Sequence, residues 1–255
     1  MAEFVGTAVP LTPDGVNQTL NSSGIGIGEL WAVLSVETSG CGYLPDQRPK
    51  ILFERHVFSR LTGHRYDADD PDISQPTAGG YGMPGAHQYD RLNAALQLDQ
   101  EAAIMSASWG LGQIMGENFK VAGFATPDAM VSAMATSEDN QLSAMVSFMK
   151  EMQLMASLQA HDWAGFARRY NGPNYAANNY DGLLQQFYDR YAQGPPPDLR
   201  TRAVQIRLMY AGFSPGSIDG VDGPATRQAI VRFQNSKGLK PSGDIDDDLL
   251  KGLMG

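Results

Sequence analysis

The 255-residue sequence contains one cysteine, Cys41, which excludes an internal disulfide and any cysteine-based metal cluster. Cys41 falls close to Glu37, but a lone buried thiol is ordinarily a small packed hydrophobe rather than a nucleophile. Histidine is also scarce. The four present are His56, His64, His87 and His161. They form no His-Glu-x-x-His and no spacing that would converge three ligands on a catalytic zinc. A zinc amidase or peptidase is therefore disfavoured, and neither a metal nor a cofactor is expected. No apolar run reaches the length of a bilayer span, so stable membrane insertion is not expected. The opening Met1-Ala2-Glu3-Phe4 lacks a basic leader with an apolar core, so no secretory signal is expected. Basic charge is in deficit, with 19 Lys and Arg against 28 Asp and Glu and a net charge of −9. That argues against a nucleic-acid partner, because phosphate binding needs a basic face.

What remains is a globular composition, 42% hydrophobic and 18% charged. The length suits one large domain or a medium domain plus a small one. Gln193-Gly194-Pro195-Pro196-Pro197-Asp198 marks the division, since consecutive prolines exclude helix and favour a stiff extended spacer. Domains are therefore expected at 1–193 and 199–255, joined by a Pro-rich linker at 194–198. The two parts differ in charge. From Asp198 onward eight basic residues face seven acidic ones, whereas the preceding part has eleven against twenty-one.

Leu30, Val33 and Leu34 repeat at helical spacing and predict a core-facing helix over 28–38. Glu37 follows Leu34 and Val33 by three and four positions and so points the same way as the residues being buried. A carboxylate on that face is costly to desolvate and its pKa tends upward, as a general acid near neutral pH requires. The structural alternative is a helix-end Glu that turns out to solvent.

The Gly24–Gly28 run lacks the Lys-Ser/Thr ending of a phosphate loop and reads as flexible entry to this helix. Lys50–His56 predicts a short strand or turn entering a helix to about Thr62. Asp67–Gly85 is long for a loop in a compact domain, and such loops are often functional. A helical pattern resumes over His87–Ser106. Thr126-Pro127-Asp128 and Ser137-Glu138-Asp139 are helix starts. The second helix carries a stripe of Leu142, Met145, Val146, Met149 and Met152, read as core. Helices are expected at about 161–170 and 178–192, then at about 199–211, 224–237 and 245–252.

Two groups of motifs carry a resemblance. Val204-Gln205, Tyr210-Ala211-Gly212-Phe213, Ile218–Thr226, Ala229-Ile230 and Phe233-Gln234 resemble the small three-helix peptidoglycan-binding domain found at the ends of cell-wall hydrolases. There Asp219 and Gly220 make a tight turn, Thr226 sits in a first helical turn, Phe233 anchors the core, and Tyr210 belongs to the same pattern. Val36–Gly40, Arg48–His56, Gly85–Leu92, Ala107–Gly116 and Tyr170–Tyr175 resemble the catalytic domain of phage-type N-acetylmuramidase endolysins, a branch of the lysozyme-like superfamily. The commoner form of the first motif reads Glu-Ser where this chain has Glu37-Thr38. The implied fold is mostly α: a lysozyme-like domain with a small β and loop element, followed by the three-helix module.

The resemblance implies hydrolysis of the β-1,4 bond between N-acetylmuramic acid and N-acetylglucosamine in bacterial peptidoglycan. Glu37 would protonate the leaving oxygen. Glu54 is the leading second carboxylate, with a structural pairing to Arg55 or another partner as its alternative. Asp67, Asp69, Asp70 and Asp72 are weaker candidates, mostly expected as solvated turn residues. Ser108, Trp109 and Gln113 are expected in a cleft wall, with Trp109 stacked on a sugar or else plain core. Tyr170, Asn171 and Tyr175 are expected opposite. A monomer is expected that waits in the host cytoplasm until a holin releases it to the wall. The rivals are a lytic transglycosylase, which yields 1,6-anhydro ends, and a non-catalytic wall-binding or virion protein.

Overall fold

Thr12, Asp99, Thr126, Ser137 and Asp198 each stand before a helix and accept from a first-turn amide that has no partner inside it. The computed structural model, which describes residues 4–37, 40–170, 172 and 175–254, divides into two contact units. The first comprises residues 1–8, 42–44 and 48–153, and the second 9–41, 45–47 and 154–255.

In the first unit, β1 (Ile51–Phe53) leads through Glu54 into α3 (Arg55–Leu61), as the Lys50–His56 pattern predicts. The expected helix over His87–Ser106 is in fact two, α4 (Gln88–Leu96) and α5 (Gln100–Met105). The break comes from Asp99, whose extended backbone and side chain cap a new helix by accepting from Ala102 N at 3.0 Å. β2 (Ala107–Trp109) and β3 (Ile114–Met115) then form a hairpin. The antiparallel sheet has the order β1-β2-β3, with Ile51 opposite Trp109, Phe53 opposite Ala107 and Trp109 opposite Ile114. α6 (Pro127–Thr136) and α7 (Glu138–Glu151) begin at Thr126 and Ser137, both of which cap through their hydroxyls. The α7 stripe is core as far as Met149, whereas Met152, past the helix end, is exposed. The sheet is small but fully supported: Phe53, Phe58, Tyr89, Leu92 and Trp109 around it are all buried.

The second unit begins with α1 (Pro13–Ser23), capped by Thr12 with Pro13 at its first position. α2 (Ile27–Glu37) follows, with Leu30, Trp31, Ala32, Val33 and Leu34 all buried. After α8 (Met155–Gln159) and α9 (Trp163–Tyr170) comes α10 (Tyr180–Gln193), which packs along α2. α11 (Leu199–Tyr210), α12 (Pro224–Ser236) and α13 (Asp247–Met254) complete the unit. Their core is Val204, Leu208, Ala229, Ile230, Phe233 and Leu249, with Phe213 edge-on to Phe233 at 5.5 Å. Burying an aromatic such as Phe233 contributes roughly 1.5–3 kcal/mol. The observed architecture is mostly α with one small sheet, as the sequence implies. Among the described residues no helix is long and apolar enough to cross a membrane.

Candidate active site

Glu54 occupies the residue between β1 and α3, with its amide donating to Ser106 O at 2.8 Å. Its side chain is only 15% exposed. Arg55 is not its partner: that guanidinium reaches the carbonyl of Pro71 at 3.4 Å and lies against Gly80. Glu54 Oε2 instead approaches His56 Nδ1 at 3.1 Å, and neither atom has a well-aligned hydrogen bond. Burial pushes the Glu54 carboxyl above the usual carboxylate range, against the opposing pull of His56 and a hydrogen bond from the Tyr81 hydroxyl. Burial and the Glu54 charge in turn raise Tyr81.

Tyr81 comes from the long loop, and Gln88 sets where that loop sits. The buried Gln88 amide donates to Tyr81 O at 2.7 Å and to Met83 O at 2.8 Å, and its Oε1 accepts from Phe53 N at 2.9 Å. Arg91 adds a bond to Gly80 O at 2.7 Å. The carboxylate, the strand beside it and the loop facing it are thus joined through one glutamine. Sequence reasoning missed Tyr81 altogether and read Gln88 only as part of a motif. Its buried amide at the start of α4 was the available signal.

Of the loop acids, Asp67 is a staple rather than a solvated turn residue. Its Oδ1 accepts from Ser74 Oγ at 2.5 Å, and its Oδ2 accepts from Ser59 Oγ and meets His64 Nδ1, both at 3.1 Å. These bonds, the one from Ser74 foremost, hold its carboxyl below the usual range. Asp69 and Asp72 are exposed and Asp70 is half-buried.

The hairpin corrects one expectation. Trp109 is fully buried, its indole N–H donates to Ile104 O at 3.1 Å, and Phe4 packs on its ring at 5.5 Å. A face enclosed on all sides cannot stack on a sugar, so Trp109 is core. Gln113 has φ of +47°, and its Nε2 donates to Gly110 O at 2.8 Å and Lys50 O at 3.3 Å. Ser108 Oγ donates to Gln113 Oε1 at 2.9 Å. Both polar side chains therefore lock the hairpin turn. Gln141, not singled out from sequence, supports the hairpin, and Glu138, read only as part of a helix start, ties down the neighbouring Gly42. Buried Gln141 accepts from Leu111 N at 2.7 Å, and buried Glu138 accepts from Gly42 N at 2.9 Å.

In the second unit, Glu37 is the last residue of α2 and is half-buried, as are Ser35 and Val36, which separate it from the buried stretch Leu30–Leu34. Burial raises the Tyr170 and Tyr180 hydroxyls, and the Glu37 charge raises both further. Glu37 is thereby placed electrostatically against two half-buried tyrosines, one ending α9 and one opening α10. Tyr170 stacks on Phe166 at 5.3 Å, and Arg168 lies 6.0 Å over the ring of Tyr175. Asn171 lies outside the described residues, as do Thr38 and Ser39 of the Glu37 motif. Tyr180 was not anticipated.

The module residues named from sequence form its internal frame. Gly220 has φ of +72°, and a Cβ there would stand 2.7 Å from Asp198 N. Buried Gln205 holds the turn, accepting from Asp219 N at 3.1 Å and Gly220 N at 2.9 Å. Its Nε2 donates to Asp219 Oδ1, Val221 O and Thr226 Oγ1 at 3.0–3.1 Å. Phe233 is core, and Tyr210 is half-buried. Among the described residues no three His, Cys, Asp or Glu side chains are placed to hold a metal.

Residues 27–192 match the family described as N-acetylmuramidase, and residues 198–253 match a putative peptidoglycan-binding domain. The chain is similar to the crystal structure of a Burkholderia AP3 phage endolysin, at 38% identity with a TM-score of 0.67. That similarity covers 72% of this chain and 71% of the other. No curated protein gives a significant match.

Proposed function

The chain belongs to the N-acetylmuramidase family and carries a peptidoglycan-binding domain, and from that premise we propose that it cleaves the β-1,4 bond following N-acetylmuramic acid, with Glu37 as general acid. The observation that carries the proposal is the setting of Glu37. It ends a helix that is buried as far as Leu34, and its charge is felt by the half-buried Tyr170 and Tyr180. Two neighbouring hydroxyls are available to orient its carboxyl. Protonating the leaving oxygen is the step such a group serves, as the transition state becomes oxocarbenium-like.

Glu54 is the second carboxylate of the proposal. Its burial favours the protonated form, and this supports a second reading in which Glu54 is the proton donor and Glu37 the base or nucleophile. Substrates with an activated leaving group separate the two, because such a leaving group needs no protonation. The variant lacking the acid retains turnover on them, whereas the variant lacking the base or nucleophile does not.

Residues 198–253 would hold the enzyme on an insoluble polymer and raise its effective concentration there. The wider role is host-cell lysis by a monomer that reaches the wall through a holin. The Pro-rich stretch 194–198 would separate a catalytic domain from the module. Mass spectrometry of products released from purified peptidoglycan tests the bond assignment. Reducing N-acetylmuramic acid ends are expected. 1,6-Anhydro ends would mean transglycosylation, and no released fragments would mean a binding protein.

A further inference from the structure

Gly40 follows Glu37 by three positions, and the residues meeting it come from the peptidoglycan-binding segment. Arg202, on α11, is 3% exposed, and its Nη2 donates to Gly40 O at 2.8 Å. On its other side Gly40 abuts Ile218, in the turn between α11 and α12. With φ at +99°, a Cβ there would lie 2.9 Å from Ile218 O and 3.1 Å from Ile218 Cβ. Two independent features thus shape one contact: a buried cation on the carbonyl, and a backbone approach that only glycine allows. A buried guanidinium needs compensating acceptors, and the Gly40 carbonyl is one of those that Arg202 meets.

The packing around this contact is not continuous. A cavity of about 390 Å³ lies beside it, with Trp31, Leu34 and Ser35 of α2 on one side and Pro197, Arg202 and Ile218 on another. The cavity thus reaches the C-terminal half of α2, whose Trp31 and Leu34 are themselves buried. Arg202 and Ile218 meet the chain at Gly40, three residues past Glu37.

From this geometry we infer that Arg202 is a positioning residue for the reaction: the wall-binding module holds the chain at Gly40, three residues past Glu37, and so sets the geometry of the proton donor. This inference rests on Glu37 being that donor. The module then contributes to turnover itself as well as to attachment. Small displacements of a reacting group reduce the chemical step by roughly 10- to 100-fold, with less effect on ground-state binding.

The test uses the full chain and soluble glycan fragments, which need no anchoring to the wall. Arg202→Ala is expected to lower kcat at least about 10-fold while KM stays within about twofold, and Arg202→Lys to restore part of the loss. Arg232→Ala, an exposed α12 arginine bonded to Ser214 O, serves as the module control and should leave both constants unchanged. Wild-type kcat in a folded Arg202→Ala enzyme overturns the inference, as does an equal loss in the Arg232 control. If Arg202→Ala does not fold, Gly40→Ala crowds the same contact from the other side and should reduce kcat with KM unaltered. Full turnover in that variant also overturns it. Glu37→Gln, assayed alongside, keeps the two readings apart: an active Glu37→Gln enzyme removes the donor assignment whatever Arg202 does.

Discussion

Replacing Trp109 with phenylalanine tests whether the hairpin contributes a sugar platform or a piece of core. The structure makes it core, fully buried with its N–H on Ile104 O and its ring against Phe4. Loss of the indole donor leaves a buried carbonyl short of a partner, which costs about 1–3 kcal/mol. The missing ring volume, roughly 40 Å³, adds about 1 kcal/mol at ~24 cal/mol per Å³ of residual cavity. The expected destabilisation is therefore about 3 kcal/mol, or a fall in Tm of roughly 6–12 °C for a chain of this size. Thermal unfolding by circular dichroism measures the first quantity, and initial rates on soluble glycan fragments below the unfolding range measure the second. The reasoning requires a large stability loss with KM nearly unchanged. An unchanged Tm together with a KM raised tenfold or more would refute it and return Trp109 to the substrate.

Glu54→Gln should raise stability at neutral pH. With its pKa raised by burial, the wild-type carboxyl contributes fully below its ordinary value and loses that contribution as pH rises through the raised one. The variant's advantage should therefore vanish in acid and open above that range. Urea unfolding at a series of pH values reads it, and a pH-independent difference would contradict the assignment. Gln205→Leu removes five bonds around the Ile218–Thr226 turn and leaves the buried Gly220 N–H unsatisfied, for a loss of about 2–4 kcal/mol in the module. Sedimentation with purified wall should show weaker binding by the full chain, and wild-type binding with unaltered unfolding would count against the frame described for this module.

What was legible in the sequence was local. Thr126 and Ser137 announce their helices because a cap bonds only three residues ahead, whereas Thr12, with the same bond, lies in a stretch that reads as irregular apart from a short helical piece near Val16–Asn21. Asp99 carries the same signal but was hidden inside an apolar pattern that runs on through Leu96 and Leu98, so two helices read as one. β2 and β3 span three and two residues, too few for an alternation to appear. Trp109 beside glycine reads alike as wall or core, since burial is decided by Phe4 and Ile104 from elsewhere in the chain. The setting of Glu54 was out of reach for the same reason: Tyr81 and Gln88 lie some thirty residues away and meet it only through the folded loop. Asp67 could be recognised as a loop residue, but not its bonds to Ser59 and Ser74.

The central claim concerns the proton delivered to the bridging oxygen. Turnover of purified peptidoglycan by Glu37→Gln, compared with wild type at equal folded concentration, tests it most directly. Loss of the donor should lower kcat by about 10²–10⁴-fold or more with the melting temperature preserved. A folded variant that still releases fragments within about tenfold of the wild-type rate would contradict it.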